Sequence, residues 1–120
     1  EPCLPYAGDQ VGTYAVPPVG ASAWVQFEGG DPDYPVLAGC FWGDGETPAQ
    51  GLPLGKVFAT DSITVTASDV PGAGGLTIEL ASGAKLVLDA TKIELSTGTG
   101  GKITLEGPKV TINDGALEII

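Results

Sequence analysis

From Ser62 to Ile120, apolar and polar positions alternate in short bursts. These are Ile63-Thr64-Val65, Leu76-Thr77-Ile78-Glu79-Leu80, Leu86-Val87-Leu88, Ile93-Glu94-Leu95, Ile103-Thr104-Leu105, Val110-Thr111-Ile112 and Leu117-Glu118-Ile119. A period of two sends successive side chains to opposite faces of a strand. Each burst therefore predicts a β-strand with two or three aliphatic residues on one face and Thr, Glu or Lys on the other. The later bursts recur at steps of about 7 to 10 residues, with turn-forming residues between them. The corners are Ser82-Gly83, Gly98-Thr99-Gly100-Gly101, Gly107-Pro108 and Asp114-Gly115. No aromatic residue falls in this segment, and no helical period is visible.

Short strands at a near-fixed period suggest a solenoid or β-helix. Two inward residues per strand are too few for one chain to build its own core. Three chains wound about one axis, each giving one strand per layer, would close the apolar row and leave few unpaired edges. The expected axial core is Ile63, Val65, Leu76, Ile78, Leu80, Leu86, Leu88, Ile93, Leu95, Ile103, Leu105, Val110 and Ile112, continued by Leu117 and Ile119. The last residues, Leu117, Ile119 and Ile120, would leave an apolar patch at the distal end, and such a patch invites a cap.

The first half has a different pattern. It holds both Trp, all three Tyr, both Cys and two of the three Phe; the third, Phe58, lies at the junction. Ala23–Glu28 alternates as a half-buried strand does. Val36–Trp42 is more continuously apolar, which predicts a strand buried on both faces. Gly29-Gly30-Asp31-Pro32-Asp33-Tyr34-Pro35 joins them as a turn-rich hairpin loop. Val11–Gly20 reads as an irregular loop leading into a strand. About three strands are visible, where a closed barrel needs five or more, so a missing N-terminal portion is expected. The absence of a Met before Glu1 also suggests a fragment. The expected organisation is all-β: a partial barrel at 1–50, a linker at 51–61 in which Lys56-Val57-Phe58-Ala59-Thr60 resumes extended structure, and a trimeric, intertwined β-helix at 62–120.

Composition narrows the function. The chain has 120 residues, 42% of them hydrophobic, with 19 Gly and 10 Pro, which suits turns rather than helices. No apolar run is long enough for a membrane-spanning helix, and residues 1–10 lack the pattern of a signal peptide. With five Lys, no Arg and 15 acidic residues, the net charge is −10. That excludes the basic face nucleic-acid binding requires and gives no attraction to anionic membranes. In a trimer the charge reaches about −30 and must be spread along a long surface. Cys3 and Cys40 lie in apolar stretches, as buried free thiols or as one bridge.

Candidate chemistry is sparse. Asp31 and Asp33 could hold Ca²⁺, but a turn explains them. The Gly-rich stretches at 72–75 and 98–101 lack the helix and Lys-Ser/Thr pair of a phosphate loop. Ser62, Ser68 and Thr91 have no His to activate them. Glu79, Glu94, Glu106 and Glu118 fall on the polar sides of strands, so no catalytic residue and no cofactor is expected. Trp24, Trp42 and Tyr34 could line a sugar-binding groove; packing in a barrel or between subunits is the other role open to them.

Val19–Val36 and Gly39-Cys40-Phe41-Trp42-Gly43 closely resemble the oligonucleotide/oligosaccharide-binding (OB) barrel of phage baseplate spike proteins, the baseplate assembly protein V and VgrG-like family of contractile injection systems. Asp69–Ile78 looks like that family's lead-in to its spike, and Gly107–Ile120 like its usual ending. The resemblance implies a homotrimer with an OB collar on the tail hub and a β-helical needle driven through a target envelope. It places the protein in a virion tail baseplate or a contractile injection particle, with transient membrane contact and no enzymatic activity. Some members carry a His-x-His iron site at the tip; this chain has no His, so the resemblance implies a PAAR-repeat tip protein on Leu117, Ile119 and Ile120. The alternative is a carbohydrate-binding tail or adhesin module using the aromatics of the first half.

Overall fold

A computed structural model describes residues 1–48 and 53–120. The chain forms two compact units, Glu1–Thr47 and Pro48–Ile120. In the first, β1 (Ala7–Gly8) and β2 (Val11–Gly12) form a small antiparallel pair. Of this pair, β2 lies in the Val11–Gly20 stretch expected to be an irregular loop, and β1 precedes it. Nothing apolar in its sequence marks it: Gln10 takes φ 58° to make the turn.

The two strands expected around residues 23–28 and 36–42 are β3 (Ser22–Phe27) and β4 (Pro35–Phe41). They pair antiparallel, with a bulge between Trp24 and Val25. Their loop needs two successive left-handed residues, and Gly29 (φ 57°) and Gly30 (φ 78°) supply them at no steric cost. Asp31 does the work of a turn former, its Oδ1 accepting from the Asp33 N–H at 3.0 Å. On the other edge of β4, Leu37 N–H donates to Glu1 carbonyl at 2.9 Å and Cys3 N–H to Leu37 carbonyl at 2.8 Å, a parallel bridge of Pro2 to Leu37.

Two expectations for this unit are corrected. β4 is half-buried at Val36–Gly39 and exposed at both ends, not buried on both faces. Cys3 and Cys40 are free thiols, as one reading had it, but both are exposed. The cause is the same for each: this unit has no second layer facing the hairpin, so no side chain in it is buried.

The second unit is one antiparallel sheet of eight strands in chain order. The strands are β5 (Gly55–Ala59), β6 (Ile63–Ser68), β7 (Gly75–Leu80), β8 (Lys85–Asp89), β9 (Lys92–Ser96), β10 (Lys102–Glu106), β11 (Lys109–Ile112) and β12 (Leu117–Ile119). All seven bursts of the sequence pattern are strands. The stretch expected to be a linker, 51–61, contains β5; its residues 51 and 52 lie outside the described residues.

Each strand hydrogen-bonds to its neighbours in the same chain. The corners explain this: two to six residues between strands are hairpin and short-loop lengths, which return the chain antiparallel to itself. At about 4.8 Å per strand, the sheet is about 34 Å long across its strands.

Candidate functional site

In an antiparallel ladder, directly opposed residues share a face. From β6 to β12 the register pairs aliphatic with aliphatic on one face. Ile63, Val65 and Ala67 oppose Leu80, Ile78 and Leu76. Leu76 and Ile78 also oppose Leu88 and Leu86, which oppose Ile93 and Leu95 on their other side. Those in turn oppose Leu105 and Ile103, then Val110 and Ile112, and finally Ile119 and Leu117. The residues expected to form the axial core, together with Leu117 and Ile119, thus lie on one continuous face of one sheet. Ile120 follows β12 and is 87% exposed.

No described element of the second unit packs over this face. Among the described residues no hydrophobic side chain is buried. Ile93, Leu95, Ile103 and Leu105 each keep 40% or more of their surface in water. Monomeric soluble proteins rarely present a contiguous apolar surface on this scale.

Phe58, which opposes Val65, extends the face onto β5 and is 61% exposed. The sequence pattern left it at a junction. The available signal was the alternation Lys56-Val57-Phe58-Ala59, with the same period as the later bursts but no aliphatic pair.

The opposite face is polar and charged. Glu79 opposes Lys85, Thr104 opposes Glu94, and Glu106 opposes Lys92. Lys92 Nζ donates to Glu94 Oε2 at 3.0 Å. This bond raises the Lys92 pKa and lowers that of Glu94. Lys109 pairs with Glu118 at 2.8 Å. Lys102 pairs with Asp114 at 2.7 Å, and that hydrogen bond raises the lysine's pKa. The four strand glutamates thus sit where the alternation puts them, on the polar side.

The remaining candidates serve turns. Asp89 Oδ1 accepts from Thr91 N–H (2.8 Å), Thr91 Oγ1–H (2.8 Å) and Lys92 N–H (3.0 Å). These bonds, led by the Thr91 N–H, lower its pKa. Thr91 is therefore a corner element between β8 and β9. Trp24 packs on Phe41, ring centroids 5.3 Å apart, while Tyr34 and Trp42 are largely exposed. Among the described residues no three His, Cys, Asp or Glu side chains come together as a metal site.

Sequence comparison assigns both units. Residues 56–118 match the phage baseplate V C-terminal trimerisation domain. Residues 1–42 match the type VI secretion system/phage-baseplate injector OB domain. The chain belongs to the phage baseplate V family and is a VgrG-like baseplate spike protein, all-β in structure. A curated relative, the type VI secretion system spike protein VgrG5 of Pseudomonas aeruginosa, is 37% identical over 73 residues, 58% of this chain. The chain spans about 8% of that relative's length.

Proposed function

We propose that three copies of this chain close their aliphatic faces around a common axis to form a non-enzymatic spike of a contractile tail or injection system. The observation that carries the reading is the uncovered face: seven strands of matched aliphatic rungs with, among the described residues, no buried side chain. Membership in a trimerisation-domain family supplies the number three. Burying a Val, Leu or Ile side chain stabilises by roughly 1.5–3 kcal/mol, so covering this face turns an open sheet into a stable body.

In this reading Ile63, Val65, Leu76, Ile78, Leu80, Leu86, Leu88, Ile93, Leu95, Ile103, Leu105, Val110 and Ile112 line the axis. The collar is 1–50 and the spike 62–120, with β5, inside the intervening 51–61, continuing the spike's sheet. The collar sits toward a tail hub or baseplate protein. The spike pierces the target envelope, touching the membrane transiently. Leu117, Ile119 and Ile120 form a blunt apolar end that a PAAR-repeat tip protein covers. The function is mechanical, with no catalytic step and no nucleic-acid partner. Sedimentation equilibrium of residues 1–120 tests the assembly: three chains of 12.0 kDa in one species support it, and a stable monomer or dimer rejects it.

A second reading, glycan binding by the first unit, rests on the exposure of Trp24 (67%), Trp42 (65%) and Tyr34 (59%). Glycan binding that is lost in Trp24→Ala would favour it.

A further inference from the structure

One end of the aliphatic face is not aliphatic. On β5, Lys56 opposes Ala67 and Phe58 opposes Val65, so Lys56 sits on the apolar side of the sheet. Lys85, Lys92, Lys102 and Lys109 all occupy polar-face register positions. One rung further, Asp69 N–H donates to the Leu54 carbonyl at 2.9 Å, continuing the same register. Asp69 therefore takes the apolar-face position two residues beyond Ala67. A cation and an anion thus share the rungs at the β5–β6 end of a face whose other positions are hydrocarbon.

Among the described residues neither charge forms an ion pair. The ion pairs among the described residues are Lys92–Glu94, Lys102–Asp114 and Lys109–Glu118. The Lys56 ammonium donates to the Pro53 carbonyl at 2.8 Å, and both Lys56 and Asp69 are exposed. A charge left unpaired where an apolar face closes is strongly unfavourable, so closure requires a partner for each.

We propose that Lys56 of each chain pairs with Asp69 of the next, forming a ring of three ion pairs that fixes the copies parallel and in register. This rests on the trimer reading above. In a parallel, in-register trimer the three Lys56 lie at one height on β5 and the three Asp69 one strand away, about 4.8 Å, within reach of a lysine side chain, so a closed ring uses all six charges. If one copy is inverted, the β5–β6 rungs meet Leu117 and Ile119. If one copy slips by one strand, one of its two pairs opens to about 10 Å, two strand spacings, so the ring cannot close. The matched aliphatic rungs themselves discriminate poorly between these registers, because Ile, Leu and Val recur on nearly all of them. A polar group at one position of an apolar interface is a well-attested way to specify register.

The test uses full-length chains Lys56→Asp, Asp69→Lys and the double swap. Each single variant should lose the discrete three-chain species of the wild type on light scattering and melt earlier. The double swap should restore both. Co-refolding the two single variants should also restore three-chain particles, because mixed trimers match two of their three interfaces. Rescue by the double swap without rescue by mixing would place the pair within one chain and overturn the proposal. Single variants that assemble and melt like wild type would overturn it too, while leaving the trimer standing. A wild-type monomer would instead refute the trimer reading, and the ring with it.

Discussion

Replacing Leu105 by Asp probes the aliphatic face where it should matter most. Leu105 lies on β10 between Ile93 and Val110, and 40% of its surface is open to water in the single chain. Covering that remainder is worth about 1 kcal/mol per chain, as a share of the roughly 2 kcal/mol for burying a whole leucine. The substitution forfeits this. It also places a carboxylate on the axis, where burial without a partner costs several kcal/mol. Three copies fall in one layer, so the total is on the order of 10 kcal/mol, comparable to the whole stability of a domain. The neighbouring Thr104→Lys is the matched control. Thr104 opposes Glu94 on the other face, where a lysine meets an opposite charge and the effect should stay within about 1 kcal/mol. Light scattering and thermal melting followed by circular dichroism read both. Leu105→Asp should be monomeric at concentrations where wild type and Thr104→Lys are trimeric. Equal masses and melting temperatures for all three proteins would refute the assignment of this face to the interface.

Other consequences are equally specific. Asp89→Ala removes an acceptor that holds three donors at the β8–β9 corner, so the melting temperature at neutral pH should fall. Because Asp89 and Glu94 have folded-state pKa values below their ordinary 3.8 and 4.5, their stabilisation is complete above those values. It is lost as pH falls through the lower folded ones, so melting temperatures should hold steady from pH 7 to 5 and drop below about 4. Gly75 has φ 154°, and a Cβ there would collide with the Leu88 carbonyl oxygen. Gly75→Val should therefore destabilise by more than about 1 kcal/mol, seen as a shift in denaturant midpoint. Leu117→Ser with Ile119→Ser should abolish capture of a PAAR-repeat protein while leaving the trimer intact; capture at wild-type levels would remove the tip from the proposed interface.

The strand pattern was fully legible in the second half because a period of two on aliphatic residues has few readings. Ile93-Glu94-Leu95 and Ile103-Thr104-Leu105 can bury a face only as strands. The direction of pairing was harder to see. Alternation fixes which face a residue takes, not which strand it pairs with, and only the hairpin-length corners, such as Gly107-Pro108, indicate pairing within the chain. Extended chain at Lys56–Thr60 was legible, and β5 is there; its membership of the apolar face was not, because Lys56 interrupts that face and gives it a polar end. In the first half, β1 and β2 have two residues each, too short for any periodicity. The continuous apolarity of Val36–Trp42 suggested burial, yet nothing in this unit faces β4. The family resemblance was legible in long exact-order phrases such as Trp24–Tyr34, which tie the hairpin to an OB domain more tightly than its alternation does.

The most direct measurement is the solution mass of residues 1–120 by light scattering, taken with and without a few per cent SDS at room temperature. A particle of three 12.0 kDa chains that survives the detergent is expected, because dissociation would expose three aliphatic faces at once and kinetic stability should be high. A 12.0 kDa monomer in plain buffer, with the same circular dichroism spectrum and a cooperative melt, would contradict it: the face would then be stable while open to water.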